Sequence, residues 1–437
     1  MDVVSSFAAI LQVFAGSMNA PTAQSFQTLI TGWLLAPRRT ILGMVRASGS
    51  DRHHAAFHRL FATARWSVDH VGLKIFDLLT SSQQTIFLSG DDTLLARCGL
   101  KVFGTGMHRD PLLSSRSHHV TRWGHCWVVL CVVFESRHFP GKRFALPVLA
   151  RLYLNKKSAK KWRRVYHKKT DLMIEMLKLL DQRIADTGKT LHFLGDSAFT
   201  APAVLNRIPR SIEVTGRICA QARICEPPPA RPAGTRGRPR KRGAKLPTPQ
   251  ELLQGKGLKR LTISLYEGAS QRVRIAVMRG RLYNAPDRDV QVVVVEHLTG
   301  GRGVEVFYST VVDDEPEQVL EHYSWRWPIE ITFQDVKQHL GIEEPQNRKP
   351  KACERTAVTG FLLYSLIIWW HETACPKPAR SLRYWNGKRA ASFADILAYL
   401  RMKTLENTIK TNLSTPEIPP GVKKYIQYLS HLIELAA

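Results

Sequence analysis

Two acidic positions in this sequence follow apolar runs that have the composition of β-strands. Asp91-Asp92-Thr93 comes shortly after Thr85-Ile86-Phe87-Leu88, and Asp196 ends the run Phe193-Leu194-Gly195-Asp196. Open α/β sheets place their functional sites at the carboxyl ends of their strands, where such carboxylates would meet. Either position alone is also explained by a turn residue or a helix N-cap, which is the commoner role of aspartate after a strand.

A third group of polar residues has helical spacing. At about 100° per residue, Tyr323, Arg326, Glu330 and Lys337 fall within about 60° of one another on one face of a helix. Pro328 is best accommodated in a first helical turn, so the sequence leaves open whether Tyr323 and Arg326 belong to a preceding turn. A solvated face with salt bridges is the simpler alternative for this pattern.

Together these carboxylates suit a particular chemistry. Three carboxylates on separate elements can hold two divalent ions about 4 Å apart, and such a pair stabilises the attacking and leaving oxygens of a phosphodiester displacement. Mg²⁺ prefers oxygen ligands, so no cysteine or histidine is needed. Nearby cations such as Arg326 and Lys337 would then bind substrate phosphates.

This combination resembles the DDE transposases of bacterial insertion sequences, in the insertion-sequence-four superfamily. That group carries a Tyr-x2-Arg-x3-Glu-x6-Lys signature, which Tyr323, Arg326, Glu330 and Lys337 match at every spacing. Asp92-Thr93 resembles its first motif and Gly195-Asp196 its second. The resemblance extends over about residues 40–372.

The resemblance implies an α/β fold with an RNase-H-like mixed sheet flanked by helices, a β-rich insertion and an N-terminal helical domain. It implies that Asp92, Asp196 and Glu330 are the catalytic residues and bind two Mg²⁺, with Mn²⁺ as a substitute. Asp92 is preferred to Asp91 because the family places its metal ligand directly before threonine. Tyr323, Arg326 and Lys337 would contact DNA phosphates near the transposon end.

By the same analogy, the reaction is cut-and-paste transposition at terminal inverted repeats. A strand is nicked by hydrolysis, the freed 3′-OH attacks the other strand to form a hairpin, and the reopened end is joined to a target. Relatives use a tryptophan of the insertion to stack a flipped base, but none lies between Asp196 and Trp325 here. Two alternatives stay open: the hairpin step differs here, or another aromatic residue replaces the tryptophan, namely Tyr266, Tyr283, Phe307, Tyr308, Trp325 or Trp327.

The composition favours a polyanionic partner. Lys and Arg number 63 against 36 Asp and Glu, a formal charge of +27 on 437 residues that are 44% hydrophobic. Such a basic globular chain suits nucleic acid, and the expected partner is double-stranded DNA, both transposon ends and target. The apolar content excludes a wholly disordered or collagen-like chain.

Two basic segments are candidate DNA contacts. The first, within 151–170, has nine Lys and Arg and no acid, and includes Lys160, Lys161, Arg163 and Arg164. The second, Arg236-Gly237-Arg238-Pro239-Arg240-Lys241, resembles an AT-hook, whose arginines enter a narrow minor groove. A solvated charged face and a flexible basic linker are the respective alternatives.

The order of predicted elements suggests five regions. These are a helical DNA-binding domain (1–80), the first part of the catalytic core (81–220), a basic linker with a β-rich insertion that forms its own small sheet (221–312), the completion of the core with the Glu330 helix (313–375), and a C-terminal helical region (376–437). For the first region, a bundle used only for packing or dimerisation stays open.

The remaining features concern location and assembly. The apolar stretch Ala357 to Trp370 is too short to span a membrane, which takes about 20 residues, and is expected to be a buried helix. No signal peptide is recognised, and seven scattered cysteines suggest reduced thiols. We therefore expect a cytoplasmic, nucleoid-associated protein without a membrane partner, dimeric on DNA. A nuclease without strand transfer, an inactive DNA-binding derivative and an RNA substrate are the alternatives.

Overall fold

The structure is a computed structural model. It describes residues 3–110, 113–115, 117–231, 236–255, 258–263, 271–298, 303–379 and 388–413, with short pieces at 421–422, 424–425 and 428–429. Within these residues, no helix is long and apolar enough to cross a membrane.

Helices flank a large sheet that occupies the middle of the chain. The helices are α1 (Ser5–Ala15), α2 (Ala20–Leu35), α3 (Ile41–Ala47), α4 (His54–Ala62), α5 (Val68–Thr80), α6 (Lys156–Lys161), α7 (Lys169–Ile184), α8 (Pro202–Leu205), α9 (Pro249–Leu252), α10 (Pro316–Ser324), α11 (Pro328–Gln338), α12 (Pro350–Ala374) and α13 (Phe393–Leu413). The strands are β1 (Thr85–Ala96), β2 (Gly106–Arg109), β3 (Thr121–Glu135), β4 (Arg143–Tyr153), β5 (Thr190–Gly195), β6 (Ile212–Ile218), β7 (Ile224–Cys225), β8 (Lys259–Ile263), β9 (Gln271–Leu282), β10 (Ala285–His297) and β11 (Val304–Ser309).

The central strands have the order β4-β3-β1-β5-β6. β3 is antiparallel to both β1 and β4, while β1, β5 and β6 are parallel. The β3 run from Cys126 to Val133 is buried throughout, as expected of a strand covered on both faces. The α/β class, with an RNase-H-like mixed sheet flanked by helices, is therefore confirmed.

The insertion is joined to this sheet. β11 pairs antiparallel with β6, from Val306 with Ile218 to Ser309 with Thr215, and β10 and β9 follow in order. Within the described residues, the sheet thus contains eleven strands. The expectation of a separate small sheet is wrong, because the edge of β6 is used for pairing rather than left exposed.

The N-terminal helices pack onto the catalytic sheet and onto α12, which is buried along most of its length as expected. One hydrophobic cluster includes Phe7, Trp33, Ile75, Leu146 and Phe361. This packing accounts for the apolar faces of the bundle. The role of the bundle on DNA and the five regional boundaries stay predictions.

Helix α5 lies close to β4 because Gly72 has no side chain. A Cβ at Gly72 would overlap the Val148 carbonyl oxygen. This oxygen belongs to the backbone and cannot move aside. We expect Gly72→Ala to lower the free energy of unfolding by about 1–3 kcal/mol, since overpacking outweighs the gain in helix propensity.

The matched control is Gly16→Ala at the end of α1. Its Cβ would meet only the mobile end of Lys74, at 2.9 Å, so we expect a change within about 0.5 kcal/mol. Chemical denaturation measures both variants, and equal stability of the two would contradict the close packing of α5.

Candidate functional site

Asp91 and Asp196 lie side by side because β1 and β5 are parallel and in register. The last pair of their ladder is Gly90 with Gly195, so the next residue of each segment is an aspartate. Residues at one level of neighbouring strands point to the same face of the sheet. Burial raises the pKa of Asp91 to about 7; the charge of Arg326 opposes this shift and that of Asp196 adds to it.

Arg326 joins the first aspartate to the glutamate. Its Nη1 donates to Asp91 Oδ2 at 3.1 Å and its Nη2 to Glu330 Oε1 at 2.9 Å. Arg326 is only 8% exposed, whereas the Glu330 side chain is 41% exposed. The second Glu330 oxygen is therefore available to a ligand from solvent.

The turn between α10 and α11 makes this geometry possible. Pro328 occupies the start of α11, as expected of proline, and the backbone N–H of Arg326 still donates to Tyr323 O at 3.1 Å. Arg326 and Glu330 consequently keep the spacing of one helical turn across two helices. The part of the predicted shared face that holds Tyr323, Arg326 and Glu330 therefore forms in spite of the proline.

Tyr323 packs between the sheet and Arg326. Its ring packs on Phe307 with centroids 4.7 Å apart, and Arg326 lies 6.0 Å from the ring centre. Burial raises the pKa of Tyr323, while the charges of Arg326 and Arg217 lower it. Arg217 on β6 was not recognised as a site residue, because no sequence motif contains it.

Asp196 has the turn role considered from the sequence, and its role in chemistry stays a prediction. Its Oδ1 accepts from the backbone N–H groups of Ala198 and Phe199, each at 3.0 Å, as a turn residue does. Among the described residues, nothing donates to its Oδ2. One carboxylate oxygen thus fixes the turn and the other remains for chemistry.

Asp92 lies on the opposite face of β1. Its Oδ2 accepts from Lys169 Nζ at 2.7 Å and contacts Cys126 Sγ at 3.4 Å. Side chains alternate along a strand, so Asp91 and Asp92 cannot both face Glu330. The structure brings Asp91, not Asp92, to the carboxylate cluster, which corrects the choice made from the sequence. The repeated pair Gly-Asp, at Gly90-Asp91 and Gly195-Asp196, is the signal that could have found it.

A comparison with family models identifies the chain. The model described as DDE superfamily endonuclease matches residues 13–272, more than half of the chain. The protein belongs to the DDE superfamily endonucleases. The matched part contains Asp91, Asp92 and Asp196 and ends before Glu330. A search of curated proteins found no match.

Membership of this family indicates nuclease or transposase activity on DNA and a general dependence on divalent metal. The endonuclease's own residues fit such an ion. Asp91, Asp196 and Glu330 offer only carboxylate oxygens, the ligands that Mg²⁺ prefers, and Asp91 and Asp196 repel each other electrostatically. A bound cation would relieve that repulsion, as Arg326 does in part.

A second metal-like group in the endonuclease is structural. Ligand atoms of His138, His371 and Glu372 lie within 4.8 Å of one another, closer than those of any other such group among the described residues. However, His371 Nδ1 bonds Glu372 Oε1 and its Nε2 accepts from the Ala379 N–H. His138 Nε2 bonds the His371 carbonyl oxygen. These hydrogen bonds occupy both ring nitrogens of His371, so the group ties α12 to the end of β3.

The other predicted site residues are half-buried or exposed. Lys337 is half-buried; burial lowers its pKa, and the charges of Glu343 and Asp110 oppose this shift. The first basic segment is exposed at Lys160, Lys161, Arg163 and Arg164, and the second at Arg236, Arg238, Arg240 and Lys241. Among the described residues, neither basic segment contacts the carboxylate cluster. Their role on DNA stays a prediction.

Substitutions of the two adjacent aspartates should have different effects on Mn²⁺ binding. Asp91→Asn should weaken Mn²⁺ binding tenfold or more, because an amide cannot replace a charged ligand, whereas Asp92→Asn should change it by less than about twofold. Electron paramagnetic resonance of free Mn²⁺ measures both. The reverse result would restore the assignment made from the sequence.

Metal binding should also depend on pH. Because the pKa of Asp91 is raised to about 7, its carboxyl binds a proton below that pH, and a metal ion must displace it. Mn²⁺ affinity of the wild-type protein should be nearly constant above pH 7.5 and fall about tenfold per pH unit below 7. An affinity that is constant between pH 6 and 8 would contradict this expectation.

Proposed function

We propose that this DDE endonuclease is the transposase of an insertion sequence. It would cleave phosphodiester bonds at terminal inverted repeats and join the freed ends to target DNA. The observation that carries the proposal is the meeting of Asp91 and Glu330 on Arg326, with Asp196 beside Asp91, from elements far apart in sequence. The resemblance of the Tyr323-to-Lys337 segment to the insertion-sequence-four signature supports it.

In this proposal, Asp91, Asp196 and Glu330 bind the metal ions, and Asp91 takes the part first given to Asp92. The ions, Mg²⁺ or Mn²⁺, supply an activated nucleophile and stabilise the charge of the displacement. Arg326 holds Asp91 and Glu330 at the spacing seen here and neutralises part of their charge. Tyr323, Arg326 and Lys337 bind phosphates beside the scissile bond.

The DNA lies, in this proposal, along the exposed basic residues. No carboxylate of the described residues lies within ion-pair distance of Lys160, Lys161, Arg163 or Arg164, so their charge is available to phosphates. The AT-hook-like segment, Arg236 to Lys241, would enter a minor groove. Binding should weaken steeply with salt.

A hairpin intermediate requires an aromatic residue that supports an unpaired base. Phe307 and Tyr308 are buried, and Tyr266 lies outside the described residues. Arg143 covers the Trp325 ring at 4.0 Å, and Arg223 and Arg242 cover the Tyr283 ring at 4.2 and 3.9 Å. Trp327 is 43% exposed and precedes Glu330 by one helical turn. We therefore assign the stacking role to Trp327, in a protein that acts as a homodimer on DNA.

The decisive variant is Glu330→Gln, which keeps the shape and removes a ligand charge. We expect it to lose Mg²⁺-dependent cleavage by at least about 10³-fold while DNA affinity stays within about threefold. Duplexes that carry the inverted repeats flanking the gene are incubated with Mg²⁺ or EDTA and resolved on denaturing gels.

Glu317→Gln, an exposed residue in the first turn of α10, is the matched control and should cleave normally. A hairpin product and joined plasmid products would establish strand transfer. Cleavage without joined products would identify a nuclease, and binding without any cleavage by the wild-type protein would identify an inactive derivative. Retained cleavage by Glu330→Gln would overturn the active-site assignment.

A further inference from the structure

A cleft opens directly beside Asp196. It is lined by residues of the loop after β5, the connection between β6 and β7, and the turn between β9 and β10, including Ser197, Arg217, Arg223 and Tyr283. Its volume of about 330 Å³ lies in the range of ligand sites, ~300–1,000 Å³. No aspartate or glutamate lines it, so its charge is positive.

Two arginines stack on one tyrosine at the end of the cleft that is farther from Asp196. Arg223 stacks on the Tyr283 ring at 4.2 Å and Arg242 at 3.9 Å, and Arg242 Nε also donates to Tyr283 O at 2.6 Å. Stacking orients a guanidinium while leaving its N–H groups free to bind an anion. Among the described residues, Arg223 has no ion-pair partner, so its charge faces the cleft unopposed.

Arg217 connects the cleft with the catalytic cluster. It pairs with Glu305 at 3.0 Å, yet its side chain is 41% exposed and lines the cleft. Its charge also lowers the pKa of Tyr323, which places it near the ring that packs beneath Arg326. Arg217 and Arg223 therefore line one cleft, and Arg217 also lies near Tyr323 of the catalytic cluster.

The AT-hook-like segment follows Arg223 along the chain. β7 follows Arg223 directly, and the segment after it is closed at its base by hydrogen bonds of Glu226 N to Ala244 O and of Gly243 N to Glu226 O, both 2.9 Å. The residues Arg236 to Lys241 extend from that base. Basic residues thus continue from the cleft into the loop.

We propose that the cleft holds the DNA strand that continues from the scissile phosphate, with backbone phosphates on Arg217 and Arg223. The inference rests on the proposed function, since it names the path of the same substrate. A positive groove with an apolar floor, here Ile218 and Leu282, is how proteins follow a nucleic acid backbone without reading its sequence.

The test of affinity compares two reversals of charge. Arg223→Glu should weaken binding of a fluorescein-labelled 30-base-pair duplex by roughly tenfold or more in anisotropy titrations, and lower the salt dependence by about one phosphate contact. Lys178→Glu, on the exposed face of α7, makes the same change of charge and should alter affinity by less than about twofold.

A second measurement does not depend on that variant folding. Cys219 lines the cleft and is exposed, and Cys98 is the one other exposed cysteine among the described residues. In the Cys98→Ser protein, saturating duplex should slow the reaction of Cys219 with N-ethylmaleimide at least fivefold. Unchanged reactivity of Cys219 in a protein that binds and cleaves the duplex would overturn the proposed role of the cleft and leave the transposase proposal intact.

The opposite combination separates the two ideas as well. Protection of Cys219 without cleavage would support the cleft while contradicting the catalytic proposal. Failure of the wild-type protein to bind DNA at all would overturn both.

Discussion

The carboxylate cluster depends on one guanidinium between two carboxylates. Arg326 donates to Asp91 and to Glu330 from an almost fully buried position, and it links a strand of the sheet to a helix that follows more than 200 residues later. Buried like charges are unstable unless cations accompany them. The two aspartates and the glutamate can therefore be held close together before any metal binds.

The fold places the remaining groups around this contact. Parallel, in-register strands set Asp91 beside Asp196, and the short turn before Pro328 sets Glu330 above them. The antiparallel pairing of β11 with β6 brings the chain back from the insertion to the start of α10, so Tyr323 packs on Phe307 of that strand. The long insertion therefore does not disturb the positions of the cluster residues, because the chain returns through the same sheet.

Much of this was predictable from local sequence signals. The helical spacing of Tyr323, Arg326 and Glu330, the strand before Asp196 and the buried helix α12 follow from residue types and periodicity. The side of β1 that faces the site did not follow, because motif matching favoured the residue before Thr93, and only the register with β5 decides between neighbours. The joining of the insertion to β6 was likewise hidden, since its pairing partners lie about 90 residues apart and leave no local pattern.

The two adjacent aspartates have different electrostatic partners. On one face Asp91 is balanced by Arg326, and on the other Asp92 is balanced by Lys169, so each acidic side chain of the strand has its own cation. The backbone N–H of Asp92 also donates to Asp91 Oδ1 at 2.7 Å. This bond comes from the peptide of Asp92, so it does not depend on the Asp92 side chain, which pairs with Lys169 on the other face. A sequence motif that contains both aspartates is thus explained with only Asp91 at the carboxylate cluster.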